Sequence, residues 1–69
     1  MEYKERFKTE YYELETRIQK LETILIKNEC DTLTFKLNSP SYVLRDQLEA
    51  MKTYLHCLKM RAEYEKIEL

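Results

Sequence analysis

The side chains with the clearest capacity for chemistry are tyrosines and arginines. The chain holds six Tyr in 69 residues. Tyr3, Arg6 and Phe7 fall near one end and Tyr54, Arg61 and Tyr64 near the other, with Lys4, Lys8, Lys59 and Lys66 around them. Aromatic faces stack on nucleobases and the guanidinium fork holds phosphate in two parallel hydrogen bonds, so a nucleotide is the ligand these groups suit. The candidate ligand-binding set is therefore Tyr3, Arg6, Tyr54, Arg61 and Tyr64. A plainer use stands beside it. Phe7 and Tyr11 occupy core positions, Tyr54 and Tyr64 have the character of interface aromatics, and Arg61 with Glu65 or Lys59 with Glu63 would make ordinary surface ion pairs. Tyr12 and Tyr42 have no assigned role.

Catalytic machinery is not expected. The one histidine, His56, would have to work with Cys30, Ser39 or Ser41. The two serines lie near the opposite end of the second helix from His56, roughly 22–26 Å away at the helical rise of 1.5 Å per residue. H-E-x-x-H, C-x-x-C and P-loop motifs are absent from the sequence, as is a carboxylate metal cluster. Pairs such as Glu13 with Glu15, or Glu63 with Glu65, have the pattern of a solvated helix face. With no Gly in the chain, Gly-rich phosphate loops are excluded and turns with positive φ become costly. Cys30 and Cys57 form neither a metal set nor a disulfide framework and are expected as free, partly buried thiols. Adjacent residues on a helix point about 100° apart, so His56 and Cys57 do not chelate together. No cofactor is implied.

The elements that would position these groups are two helices. Phe7, Tyr11, Leu14, Ile18, Leu21 and Leu25 follow one another at alternating intervals of four and three, the spacing of a coiled-coil seam, and Ile24 and Ile26 widen it. Good helix formers fill the rest, and Glu2–Arg6 and Glu13–Arg17 are favourably ordered i,i+4 pairs. Residues 30–38 read differently: from Thr32 to Leu37 apolar and polar residues alternate, so Leu33, Phe35 and Leu37 would point one way. An extended connector laid across the hairpin mouth is expected, with a short strand pairing to a second subunit as the alternative. Ser39-Pro40 then has the form of an N-cap followed by the first helical residue. The second seam is Leu44, Leu48, Met51, Leu55, Leu58 and Ala62, at the same alternating intervals. The expectation is one all-α domain over residues 1–69: a helix over about 2–28, a connector over 29–39, a helix over about 40–66, folded as an antiparallel hairpin. That topology brings the two Tyr/Arg clusters together at the open end.

The second helix is apolar over more than one seam. Val43, Ala50, Tyr54, Cys57 and Tyr64 form a further stripe, with Gln47 and Arg61 in register. A two-helix core rarely supplies more than ~3–5 kcal/mol, and without a disulfide or metal staple oligomerisation is the usual remedy. A homo-oligomeric helical bundle is expected, of a subunit number that sequence leaves open. The net charge of −1 and a pI of about 5.8 argue against general nucleic-acid binding, which needs a surplus of Lys and Arg. A pocket for one small anion needs only two or three cations. No uninterrupted apolar run exceeds three residues, as at Ile24-Leu25-Ile26, and the N-terminus has no apolar signal segment, so no membrane span or secretory leader is expected.

The wording of the chain also resembles a family. Glu10-Tyr-Tyr-Glu-Leu-Glu-Thr-Arg17 with Lys20-Leu21, then Asp31-Thr-Leu-Thr-Phe35, then Leu44, Gln47-Leu48-Glu-Ala-Met51, Tyr54-Leu55, Leu58 and Arg61-Ala-Glu63 are similar to small helical-hairpin proteins of phages and prophages, including crAss-like phages. The resemblance covers nearly the whole chain and brings no catalytic residues with it. It implies a small accessory protein present in the host bacterial cytoplasm during infection. In architecture it is similar to the anti-CBASS and anti-Thoeris sponges, oligomeric hairpins that hold cyclic nucleotide or cyclic ADP-ribose signals between subunits. The resemblance thus implies a nucleotide-derived second messenger as ligand. The surplus stripe suggests the alternative of a module that docks a host defence, replication or transcription protein. A structural or chaperone-like phage protein is the third.

Overall fold

The computed structural model describes residues 2–69. Two helices, α1 (Tyr3–Glu29) and α2 (Ser41–Glu65), form an antiparallel hairpin, and no strand occurs among the described residues. The molecule measures 43 × 20 × 17 Å with a radius of gyration of 14.8 Å. A compact chain of this length would have a radius near 11 Å. The hairpin is therefore a single layer, one helix thick, and every residue away from the contact line faces solvent.

The core is the line where the seams meet. Phe7, Tyr11, Leu14, Ile18 and Leu25 of α1 are buried against Leu48, Leu58 and Ala62 of α2, and Leu21, Leu44, Met51 and Leu55 pack half-buried beside them. Leu58 alone is completely enclosed. Ile26, expected to widen the α1 stripe, is 62% exposed, because in a two-helix layer it lies past the edge of the contact.

Polar pairs run along the hairpin and mark its register. Tyr54 Oη donates to Glu10 Oε1 at 2.7 Å, Lys52 Nζ lies 3.2 Å from Glu22, and Arg45 binds Glu29 near the closed end. Such exposed pairs contribute between nothing and about 1 kcal/mol each. Their value is in selecting one alignment of two otherwise smooth seams.

Both helices end in a left-handed residue, although neither is Gly. Asp31 (φ 57°) follows α1 and Lys66 (φ 56°) follows α2. Each turn closes with a paired set of bonds. Thr32 N donates to Lys27 O at 2.9 Å and Asp31 N to Asn28 O at 3.3 Å; Ile67 N donates to Ala62 O at 2.9 Å and Lys66 N to Glu63 O at 3.4 Å. These are Schellman turns, which satisfy the last helical carbonyls and allow an apolar residue beyond the cap to fold back. Ile67 does so, only 6% exposed, and joins the core from outside α2.

Three local expectations are corrected. Pro40, not Ser39, takes the N-cap position of α2, Ser41 is its first residue, and no side chain caps it. Val43 N and Leu44 N donate to Pro40 O instead. The connector bends at Thr34–Phe35 and again at Asn38–Ser39. That breaks the alternation, leaving Leu33 and Leu37 half-buried but Phe35 56% exposed. Cys30 and Cys57 are free but exposed rather than partly buried. Cys57 stands on the α2 stripe turned away from α1, and Cys30 on the terminal turn.

Candidate site at the open end of the hairpin

Antiparallel pairing brings the first turns of α1 beside the last turns of α2, and three side chains close into a ring there. The Arg61 guanidinium donates through Nη2 to Tyr3 Oη (2.8 Å) and through Nε to Glu65 Oε2 (3.1 Å), while Tyr3 Oη donates to Glu65 Oε1. The same guanidinium carbon lies 5.1 Å from the centroid of the Phe7 ring, within the range where a cation is held by the π face. Tyr3 and Phe7 meet at 6.3 Å in a tilted arrangement. An aromatic–guanidinium cluster thus sits at the tip, with one carboxylate tying it across the two helices.

The electrostatics follow from the bonds. The hydrogen bond from Tyr3, with that from Arg61, holds the Glu65 carboxyl below its ordinary range. Donation to Glu65 pushes the Tyr3 phenol up, and Glu10 does the same to Tyr54. Arg61 is held more firmly protonated by Glu65. Each phenol donates its proton to a carboxylate oxygen, so its own ionisation would break the contact.

The five expected ligand residues divide into three groups. Tyr3 and Arg61 bond directly. Arg6 and Tyr54 line a separate groove of about 400 Å³ beside the ring, with Thr9, Glu10, Glu13, Leu14 and Arg17. Tyr64 is 84% exposed and its side chain makes no hydrogen bond among the described residues. Spacing alone makes Glu65 an ordinary surface partner of Arg61 and does not single out Glu10 or Arg17 as part of a site. The Arg61–Glu65 spacing of four was a visible signal, but the bridge to Tyr3 depends on register. Glu10 could be matched with Tyr54 only after the helices were aligned. Phe7, expected in the core, both packs there and carries the Arg61 cation.

No group of three or more His, Cys, Asp or Glu residues suited to a metal ion occurs among the described residues, and no helix there is long and apolar enough to cross a membrane.

Fold and site together define a small two-helix hairpin that presents aromatic and guanidinium groups at its open end. The chain belongs to the Sequestin family, whose model matches residues 1–64. The match covers α1, α2 up to its penultimate residue and every expected ligand residue, and it stops short of Glu65 and Ile67. The family name denotes sequestration, without saying of what. No curated protein and no solved structure matches the chain.

Proposed function

We propose that this protein is a non-enzymatic sponge: it binds a nucleotide-derived second messenger at subunit interfaces and withholds it from a receptor. The observation that carries this reading is the open-end cluster, where Tyr3, Phe7 and Arg61 meet within hydrogen-bond and cation–π distance. The family name agrees with binding rather than conversion. The phage resemblance supplies a setting, in which the withheld signal is one of bacterial immunity and the site of action is the host cytoplasm. Stoichiometric capture needs no reaction, only affinity and enough copies.

An assembly of copies is part of the proposal. The surface of the hairpin is 5530 Å², whereas a folded monomer of 8.5 kDa is expected to expose roughly 4,700 Å². The surplus is close to the ~800 Å² that each partner contributes to a standard interface. Part of it is the α2 stripe: Val43, Tyr54 and Tyr64 are exposed by 41%, 45% and 84%, and Ala50 and Cys57 are exposed between them. These residues, with Gln47 and Arg61, keep a heptad spacing that suits a further helix. A second copy laid there would put Tyr54 and Tyr64 at a subunit boundary.

The test is native mass spectrometry of the purified protein, alone and with cyclic dinucleotides, cyclic trinucleotides and cyclic ADP-ribose isomers. A defined oligomer that gains whole-number ligand masses is expected, and Arg61→Ala or Tyr64→Ala should abolish the gain, with the mass of the unliganded assembly read in the same spectrum. Variants that bind like the parent would remove the proposed site. The exposed stripe also favours a second reading, docking onto a host protein through the α2 face. In that case Val43→Glu or Tyr54→Glu blocks a pull-down from host lysate, and added nucleotide changes nothing.

A further inference from the structure

The two flanks of α2 differ in what they offer. Arg45 and Lys52 stand on one and reach across to Glu29 and Glu22 of α1, so that side is charged and already engaged. The other carries the stripe from Val43 to Tyr64, exposed along its length. Its intervals alternate between four and three through Gln47, Ala50, Tyr54, Cys57 and Arg61, and the stripe matches its own reverse about Tyr54 to within one residue. A second copy laid antiparallel therefore sets Val43 against the partner's Tyr64, Gln47 against the partner's Arg61 and Ala50 against the partner's Cys57. The two Tyr54 rings meet on the two-fold axis. Apolar groups thus face apolar groups, and a side-chain amide faces a guanidinium. Asp46, exposed and without an ion pair among the described residues, adjoins Gln47 and faces the same Arg61. Parallel in-register pairing would instead set Arg61 against Arg61, a repulsive contact.

We infer that two copies pair antiparallel along this stripe, and that the first two turns of each α2 complete the aromatic–guanidinium cluster at the other copy's tip. This rests on the assembly in the proposed function and supplies its geometry. The 5530 Å² surface of the single hairpin exceeds that expected for its mass by roughly one partner's share of a standard interface. The tip is also unfinished within one chain. Arg61 donates through Nε to Glu65 and through one N–H of Nη2 to Tyr3; its other N–H groups have no partner among the described residues. Tyr64 beside it is 84% exposed. The partner's Val43 gives Tyr64 an apolar wall, and the partner's Gln47 brings an amide that both donates and accepts. Neither residue reaches its own tip, since Gln47 and Arg61 of one chain lie about 21 Å apart along α2 at 1.5 Å per residue. The pair therefore holds two equivalent tips, each built from both copies.

Disulfide mapping on the full chain in dilute solution tests the pairing. In Cys30→Ser/Ala50→Cys the introduced thiol lies about 10 Å from Cys57 along the same helix, and a disulfide spans at most ~7 Å between Cα atoms, so only a bridge between copies can close. Val43→Cys/Tyr64→Cys, with Cys30 and Cys57 changed to Ser, applies the same logic at the tip. All these positions are exposed, and circular dichroism verifies that the helices remain. Mild oxidation is expected to convert most of each variant to a covalent dimer that reduction reverses. Cys30→Ser alone should stay unlinked, because the pairing leaves its two Cys57 residues about 10 Å apart along the axis. Linkage in Cys30→Ser alone means parallel pairing and overturns the proposal. No linkage in any variant, whether the chain stays single or gives this stripe to a host protein, overturns it as well. Linkage through Ala50→Cys but not through Val43→Cys/Tyr64→Cys removes the completed tip. Ligand uptake is read separately in the mass spectra: capture without these links discards the pairing and keeps the sponge, and links without capture do the reverse.

Discussion

Ile67 lies beyond the family match and beyond α2, yet it is buried to the same degree as Leu14. Replacing it with Ala removes three carbons from the core. At ~0.8 kcal/mol per buried methylene the transfer loss is about 2.4 kcal/mol. Cavity terms would raise that figure in a rigid core, but the chain end can settle inward, so a total of ~2–2.5 kcal/mol is expected, at the low end for Ile→Ala. Against the ~3–5 kcal/mol that a core of this size supplies, the change removes about half of the stability. The melting temperature should fall by about 8–20 °C, at the ~4–8 °C per kcal/mol typical of small domains. Helical ellipticity followed through heating and urea titration measures it, at one fixed protein concentration because any assembly makes the midpoint concentration-dependent. Ile26→Ala is the matched control, the same deletion at a site 62% exposed. A loss below about 0.5 kcal/mol for Ile67→Ala, the range of ordinary surface changes, would refute the claim that the turn after α2 belongs to the fold.

Further outcomes follow from the caps, the tip and the stripe. Lys66→Gly should stabilise by about 0.5–1 kcal/mol, since Gly adopts the left-handed turn without a Cβ penalty, and Asp31→Gly should gain less because Asp tolerates that region better; chemical denaturation ranks the two. The Glu65 carboxyl ionises more readily in the fold than in the unfolded chain, so its contribution is full above the usual carboxylate range and is lost as pH falls through its depressed folded value. For Tyr3 and Tyr54 the sign reverses. Their folded pKa values lie above the ordinary 10.0, so the contribution is full below that value and is lost as pH rises through the folded one. Tyr3→Phe and Tyr54→Phe should therefore remove the late part of the tyrosinate absorbance titration, and an unchanged curve would count against both hydrogen bonds. Val43→Glu should lower the oligomer mass seen in sedimentation while leaving helical content alone, because the residue is 41% exposed in the single hairpin.

Much of the hairpin was legible from intervals alone. A seam of Phe7, Tyr11, Leu14, Ile18 and Leu25 opposite one of Leu48, Leu58 and Ala62 can be read without coordinates, because helical geometry puts every third and fourth residue on one face. The antiparallel turn then forces the first and last residues together, which is why spacing alone groups Tyr3 with Arg61. Beyond that point periodicity is silent. It repeats along the helix without stating how far one helix slides against the other, so Tyr54 could not be assigned to Glu10, nor Tyr3 to Glu65. Composition misled at the caps: an absence of Gly suggested that left-handed turns would be avoided. The paired bonds at Asp31 and Lys66 and the burial of Ile67 offset that local cost. The connector shows the same division, since alternation assumed a straight backbone and two bends turned Phe35 outward. Sequence by itself determined the elements, their facing seams and the end of the molecule where aromatic and guanidinium groups collect, because these depend on spacing within a helix. Register, the closed ring at the tip and the separate Arg6–Arg17 groove depend on contacts between helices, and only the tertiary structure decided them.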